Sequence, residues 1–250
     1  MPKVTTHVLD ESFNEVGTLS GVTSLSIDRS GAGKMLSASI EVTSRDWDGG
    51  WLSFDIDGSS LGTIGPLGFT VTGTTLTRNG RSVSADGVSV LAAADVEVGA
   101  GESCPAGSDA LEFASGMLSE CGLRVVKVGY AHLPSSIVFG SKDTRLSAAW
   151  SVLDAVGYRI KLHRDSIELS PLPTDAAFSV SSTDSSGVRD GIKADGKSIS
   201  WSRTIGVAAE PLDIVNVGFA GLSGAYSISS QGISIGSTVD ASEDLEAVVG

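Results

Sequence analysis

Residues 35–44 read Met35-Leu36-Ser37-Ala38-Ser39-Ile40-Glu41-Val42-Thr43-Ser44. Leu36, Ala38, Ile40 and Val42 fall on one phase; Ser37, Ser39, Glu41 and Thr43 fall on the other. Side chains of a strand alternate between faces, so this period of two predicts a strand with one buried and one wet face. Antiparallel sheets accept that asymmetry. On either side lie further strand-like runs at Val4–Val8, Glu15–Leu19, Thr23–Asp28, Trp51–Ile56, Gly68–Arg78 and Ser82–Leu91. Turn signals separate them: Asp10–Asn14, Ser30-Gly31-Ala32-Gly33, Asp48-Gly49-Gly50, Asp57-Gly58-Ser59 and Asn79-Gly80. Asn-Gly is a strong hairpin signal because both residues tolerate positive φ. Close, regular strand spacing predicts a sandwich or barrel.

Composition agrees. The chain has 250 residues, with 40 Ser and 31 Gly, types that suit turns better than helix interiors. Hydrophobic residues at 41% and charged residues at 19% describe a globular protein. The net charge of −13 argues against a reader of nucleic-acid sequence, because an acidic surface repels phosphates. That charge is uneven. Residues 1–103 carry 6 basic and 13 acidic groups; 104–203 carry 11 of each; 204–250 carry 6 acids and no Lys or Arg. The first sixteen residues include Asp10, Glu11 and Glu15 and lack the apolar core of a secretory signal. No apolar run approaches the roughly 18 residues of a membrane helix. The expectation is synthesis in a cytoplasm, without membrane insertion. Cys104 and Cys121 are too few for a disulfide framework and read as separate thiols, a single bridge being the alternative.

The period changes after Gly99-Ala100-Gly101. Ala110, Leu111, Ala114, Met117, Leu118 and Cys121 recur at helical spacing, with Ser108 or Asp109 as cap and Gly122 as stop. A strand is expected at Leu123–Val128. A second helix is expected from Thr144 to Val156, capped by Asp143, with Leu146, Ala149, Trp150, Leu153 and Val156 on its buried face. Leu111, Met117, Leu118, Trp150 and Leu153 form the expected core of this unit. A hairpin, Tyr158–His163 with Ile167–Leu169, leads to Pro171 and Pro173. Residues 179–197 read as polar loop with a short strand. Strand character returns at Ser198–Ile205, Leu212–Phe219, Ala225–Ser229 and Ile233–Val239, and Ser242–Val249 reads as the start of a helix. The expected division is a first barrel over 1–98, completed by strands after about 196, a helix-strand insertion at 99–175, and loop with returning strands at 176–250.

No catalytic constellation emerges. Gly58-Ser59-Ser60-Leu61-Gly62 matches the G-x-S-x-G pattern, but Thr63-Ile64-Gly65-Pro66 follows where a hydrolase needs a helix. His7, His132 and His163 form no H-x-x-x-H pair. Asp46, Asp48, Asp55 and Asp57 fit no known calcium loop and read as two Asp-Gly turns flanking a strand, with calcium the alternative. No cofactor or metal is expected.

The order of parts carries a resemblance. Val8-Leu9-Asp10 opens a strand pair; Leu36–Val42 and Ser84–Leu91 follow; Trp150-x-x-Leu153-x-x-x-Gly157-Tyr158 ends the helical unit; the hairpin closes at Ile167-Glu168-Leu169-Ser170-Pro171; Asp213-Ile214-Val215-Asn216-Val217 comes later. Over nearly its whole length the chain resembles the tail-tip or baseplate hub proteins of long-tailed bacteriophages and related contractile injection systems. The resemblance implies a mainly β fold with a small α/β insertion and two small β-barrels per chain. It also implies a non-enzymatic homotrimer in the virion tail tip, with six barrels continuing the tail tube. Partners would be a tail tube or distal tail protein above and a spike, fibre or tape-measure protein below. Many hubs continue into lytic domains; this chain stops at Gly250, either as a short hub or as a fragment, and no lytic role is carried over. An acidic lumen would keep DNA sliding, with Asp46, Asp48, Asp55, Asp57, Glu210 and Asp213 the candidate lining residues; the alternative is that the acidity serves solubility alone. The rivals are a β-sandwich carbohydrate-binding or adhesin module using Trp47 and Trp51, and a serine hydrolase at Ser60.

Overall fold

Alternation of small polar and apolar residues sets the first seven strands. The computed structural model describes residues 4–30, 36–56, 63–78, 80–163, 165–181, 188–189, 191–195, 197–204, 209–219, 221–236 and 242–249. The strands are β1 (Val4–Leu9), β2 (Glu15–Leu19), β3 (Val22–Ser30), β4 (Ser37–Ser44), β5 (Gly50–Ile56), β6 (Thr63–Thr77) and β7 (Gly80–Ser89). After a 3-10 turn at Val90–Ala94 come β8 (Ser103–Cys104), α1 (Ala110–Ser119), β9 (Val125–Lys127), β10 (Ile137–Val138), α2 (Arg145–Asp154), β11 (Tyr158–Leu162) and β12 (Ile167–Pro171). The chain finishes with β13 (Ala176–Ser181), β14 (Lys193–Asp195), β15 (Ser198–Thr204), β16 (Ile214–Phe219), β17 (Leu222–Gly236) and β18 (Ser242–Val249). Two compact units result: residues 1–89 with 173–250, and residues 90–172.

Among the described residues the first unit forms one thirteen-stranded sheet. Its order is β14-β15-β18-β17-β3-β4-β7-β6-β5-β1-β2, with β16 also on β17 and β13 on β16. The alternation of β4 holds: Ala38, Ile40 and Val42 are buried while Ser37, Ser39, Glu41 and Thr43 are exposed. Leu25, Ile27, Leu52, Phe54, Ile64, Leu67 and Val83 complete the core of the first half. Phe178, Trp201, Val215, Ile228 and Leu245 anchor that of the second.

Two closed barrels were expected; among the described residues no pairing closes a ring. The reason is β17. One of its edges holds β18, while the other serves β16 over Leu222–Ser227 and then β3 over Ser230–Gly236. The register shift between Ile228 and Ser230 lets a single strand change partners. This also corrects two local expectations. Ala225–Ser229 and Ile233–Gly236 are not separate strands but parts of β17, in which Tyr226 and Ser227 pair with β16 on one side and β18 on the other; residues 237–239 of the expected second strand lie outside the described residues. Ser242–Val249 is a strand, not a helix. Its Glu, Leu and Ala favour helix locally, but pairing with β15 and β17 on both edges overrides that weak preference.

The second unit packs α1 and α2 with two small sheets. Asp109 caps α1, accepting from the Leu111 and Glu112 N–H groups. Thr144, not Asp143, caps α2, and Ser147 completes a capping box. The Asp143 carboxylate instead accepts from the Gly140 N–H at 2.7 Å. Gly122 and Gly157 end the helices at positive φ, 80° and 72°. Leu111, Met117, Leu118 and Leu153 are buried. Trp150 is only half-buried, because α2 turns Leu146, Ala149, Val152 and Leu153 inward and leaves residue 150 on the flank. In the sheet β11-β12-β9, β12 pairs antiparallel with β11 and parallel with β9. Cys104 and Cys121 are both free thiols.

Candidate functional site

The outward face of the large sheet is the most distinctive surface of the first unit. Because β15, β18, β17, β3, β4 and β7 are consecutive in the sheet, their solvent phases merge. One cross-strand row runs Ser202, Asp244, Gly232, Asp28, Ser37, Val88. Neighbouring rows bring Glu246 opposite Ser200 and Ser230, Asp86 opposite Ser39, and Glu41 opposite Ser84. Asp28, Glu41, Asp86, Asp244 and Glu246 are all exposed, and the outward phase of these six strands carries no Lys or Arg among the described residues. Arg189 and Lys193 stand at the rim beside β15.

Serines fix three of the five carboxylates. Ser82 Oγ donates to Glu41 Oε1 at 2.7 Å, Ser202 Oγ to Asp244 Oδ1 at 2.5 Å, and Ser230 Oγ to Glu246 Oε2 at 3.4 Å. Each bond holds a charge close to the sheet without neutralising it. Gly232 leaves a gap between Asp28 and Asp244, where a Cβ would lie 3.6 Å from Asp28 Oδ1. An open groove of about 430 Å³ crosses this region, lined by Asp28, Lys193, Ser200, Ser230, Asp244 and Glu246 among others.

Beneath that face lies a buried charged seam. Arg203 and Glu243, cross-strand partners on β15 and β18, are both fully buried, with Nε to Oε1 at 2.5 Å. The Arg203 guanidinium also lies 4.1 Å above the Phe178 ring. Gln231 Nε2 donates to Glu243 Oε2 at 2.6 Å and to the Ala209 carbonyl at 2.9 Å. One strand further, Arg29 reaches Glu210 at 3.8 Å. Burial pushes the Glu243 carboxyl above its ordinary range, against the opposing pull of Arg203, Gln231 and Arg29. Burial likewise lowers Arg29, against Glu210 and Glu243. The seam therefore joins β15–β18 to β3 by charge as well as by backbone pairing.

The acids singled out from the sequence lie elsewhere. Asp46 and Asp48 sit in the loop after β4, both exposed, and Asp48 pairs with Arg81. Asp55 on β5 contacts His7 at 3.0 Å. Glu210 pairs with Arg29, and Asp213 Oδ2 accepts from the Glu210 N–H at 2.8 Å, so these two are brought together. Asp57 and Ser60 lie outside the described residues. Trp47 is only 8% exposed, and the Trp51 ring lies against Gly68 and edge-on to Phe13, so the two do not form a sugar platform. Among the described residues no group of three or more His, Cys, Asp or Glu is placed to hold a metal ion. The five acids of the sheet face were not singled out by segment charge; reading charge by strand phase would have found them.

No known family model matches the sequence, and no curated protein matches it. Solved structures do match in fold. A tail protein from Neisseria meningitidis MC58 superposes with a TM-score of 0.71 at 12% identity, covering 99% of this chain and 96% of that one. The 43 kDa tail protein of prophage MuSo2 from Shewanella oneidensis gives 0.72 at 11% identity, covering 100% and 97%. An Escherichia coli component of the type VI secretion system, described as similar to the T4 bacteriophage tail proteins gp27 and gp5, gives 0.62 at 12% identity over 92% and 74%. This chain has the fold of phage and prophage tail proteins and of related injection-system components.

Proposed function

We propose that this chain is a structural, non-enzymatic hub subunit of a phage or prophage tail tip, acting as a homotrimer that joins the tail tube to the components below it. The outward sheet face would line the DNA channel. The observation that carries this reading is the outward phase of six strands, with Asp28, Glu41, Asp86, Asp244 and Glu246 and, among the described residues, no base, Lys193 and Arg189 lying at its rim. The fold shared with tail proteins supplies the setting. A duplex passing such a wall meets fixed carboxylates and small hydroxyls rather than Lys or Arg. Phosphate contacts and the counterion release that drives them do not form, so the duplex slides. The two halves of the large sheet would serve as the paired, barrel-like lobes that continue a sixfold tube from three copies. Asp46, Asp48, Asp55, Glu210 and Asp213 are secondary candidates for the lumen, and Asp48, Asp55 and Glu210 already face a cationic or imidazole partner.

Partners in this reading are a tail tube or distal tail protein on one side and a spike, fibre or tape-measure protein on the other, in the virion tail tip. Electron microscopy of native particles, or of the concentrated protein, tests it. A threefold ring with the β3–β4–β7 face inward is the expected image. A ring of another stoichiometry, or that face on the outer surface, overturns it.

A further inference from the structure

His7 stands between two carboxylates. It lies on β1, the middle strand of β2-β1-β5, with Nε2 3.0 Å from Asp55 Oδ2 on β5 and Nδ1 2.9 Å from Glu15 Oε1 on β2. The His7 side chain is 14% exposed, and among the described residues these two are the charged groups that meet its ring. An ionised carboxylate only accepts, so each facing nitrogen needs a hydrogen of its own. An imidazolium has two; a neutral imidazole has one. The Nε2 contact is a hydrogen bond, whereas the Nδ1 contact is close without being aligned as one. When the ring gives up a proton, the aligned Nε2–H stays with Asp55, and the bare Nδ1 lone pair is left against Glu15.

The two sides of the ring are not equally firm. β5 is held along its other edge by β6. β2 ends the large sheet and pairs among the described residues with β1 alone. Its first four residues are exposed, and its register is already broken between Val8 and Leu9, where Leu9 meets Glu15. The turn joining the two strands does not depend on the ring. Asp10 Oδ1 accepts from the Asn14 N–H at 2.9 Å and the Ser12 N–H at 2.8 Å, and these bonds hold the Asp10 carboxyl below its ordinary range. Asp10 therefore stays ionised, and the turn can serve as a hinge, while an imidazole changes charge.

We propose that His7 is a proton-operated clasp on this edge of the large sheet. An imidazolium at position 7 ties β2 through β1 to β5. Loss of one proton turns the Glu15 contact repulsive, and β2, the side with the fewest other bonds, lifts from β1. The β1 backbone that met Gly17, Thr18 and Leu19 is then an open edge, able to take another strand. Acid covers that edge and base uncovers it, over the interval of about pH 5–8 in which histidine side chains in general change charge. The clasp goes beyond the channel reading given above and does not rest on it.

Amide protection factors, corrected for the intrinsic pH dependence of exchange, read the strand directly. In the wild-type chain the amides of Glu15–Leu19 should lose about tenfold protection or more between about pH 5.5 and about pH 8, while those of β5 hold theirs. Glu15→Gln keeps a group that can bond the ring but removes the charge, so β2 should stay protected at both pH values. His7→Gln cannot titrate and should show equal protection at both. The 15N shifts of the His7 ring should report two N–H groups where β2 is protected and Nε2–H alone where it is not. Should His7→Gln fail to fold, Glu15→Gln, on a side chain 38% exposed at the end strand, still decides the matter. The clasp is overturned by β2 protection that ignores pH in the wild-type chain, by the same loss in either variant, or by a neutral His7 ring beneath a β2 that remains protected. A loss shared by β5 would also overturn it, because the whole sheet rather than its edge would then be responding.

Discussion

Arg203 and Glu243 face each other across β15 and β18 with no exposure to water on either side chain. Taking two charges out of water costs several kcal/mol per ion, and their pairing roughly repays it. Removing one partner strands the other. Glu243→Ala should therefore cost about 3–5 kcal/mol, whereas the double replacement Arg203→Met, Glu243→Leu should be near neutral or stabilising. Urea unfolding midpoints of the three proteins check this; a double variant as unstable as the single one would contradict it.

The raised Glu243 carboxyl gives a pH signature. A group whose folded pKa lies above its unfolded value contributes stability that is present below the unfolded pKa and lost as pH rises through the folded one. Stability relative to Glu243→Gln should thus fall from the ordinary carboxylate range up through the raised value. The Gln variant has no ionisable group at position 243, so its offset is constant and the slope carries the information. Paired denaturation curves from pH 4 upward measure it; a difference that grows with pH would reverse the sign.

Gly87 lies opposite Phe69 on β6, and a Cβ there would stand 2.6 Å from the Phe69 ring. That ring is held edge-on against Trp47 and Phe54 and has little room to yield. Gly87→Ala should cost about 1–3 kcal/mol by overpacking. Phe69→Leu in the same chain should recover part of the loss, which a double-mutant cycle reads as coupling.

In the helical unit, Leu118→Ala should cost about 2–5 kcal/mol, because Leu118 is fully buried. Trp150→Ala should cost less, about 2 kcal/mol, since Trp150 is only partly buried. Denaturant midpoints should rank the two in that order.

The channel reading predicts a gain of function in vitro. The wild-type face should show no measurable affinity for duplex DNA. Asp28→Lys, Asp86→Lys and Asp244→Lys together should create binding that weakens steeply with salt, following counterion release. Fluorescence anisotropy at two salt concentrations reads this. Binding by the wild-type protein at low salt would remove the physical basis of the proposal.

Much of this molecule was legible in its sequence where neighbours along the chain decide the outcome. The alternation of Ser37–Thr43, the Asp109 cap and the stops at Gly122 and Gly157 are local signals, and the structure follows them. Legibility failed where a distant partner decides. Glu243 occupies an inward slot of β18 because Arg203 is there to meet it, and that one charged residue hid a strand behind a helix-like composition. The gap left between the expected strands at Ser229 and Ile233 is itself strand, because β3 and β18 both pair through it. Trp150 was expected on the buried face, and its half-burial depends on which way α2 turns, which residue spacing alone does not fix. The acid face was written in the sequence all along, on the outward phases of β3, β4, β7 and β18, but it takes shape only when strand order is known.

The pairing of β3 with β17 also sets a timetable. Ser30 meets Ser230, and Ser24 meets Gly236, so an early strand waits for one made near the end. At about 5–20 residues per second of synthesis, that gap lasts on the order of 10–40 s. Throughout it, Leu25 and Ile27 belong to a strand with only β4 beside it. The unit at 90–172 needs no such late partner and can complete its own core on the ribosome in the meantime. The nascent chain thus carries a finished middle and an unfinished sheet, whose open β3 edge is the place where chaperones would hold it or where two half-made chains would stick together.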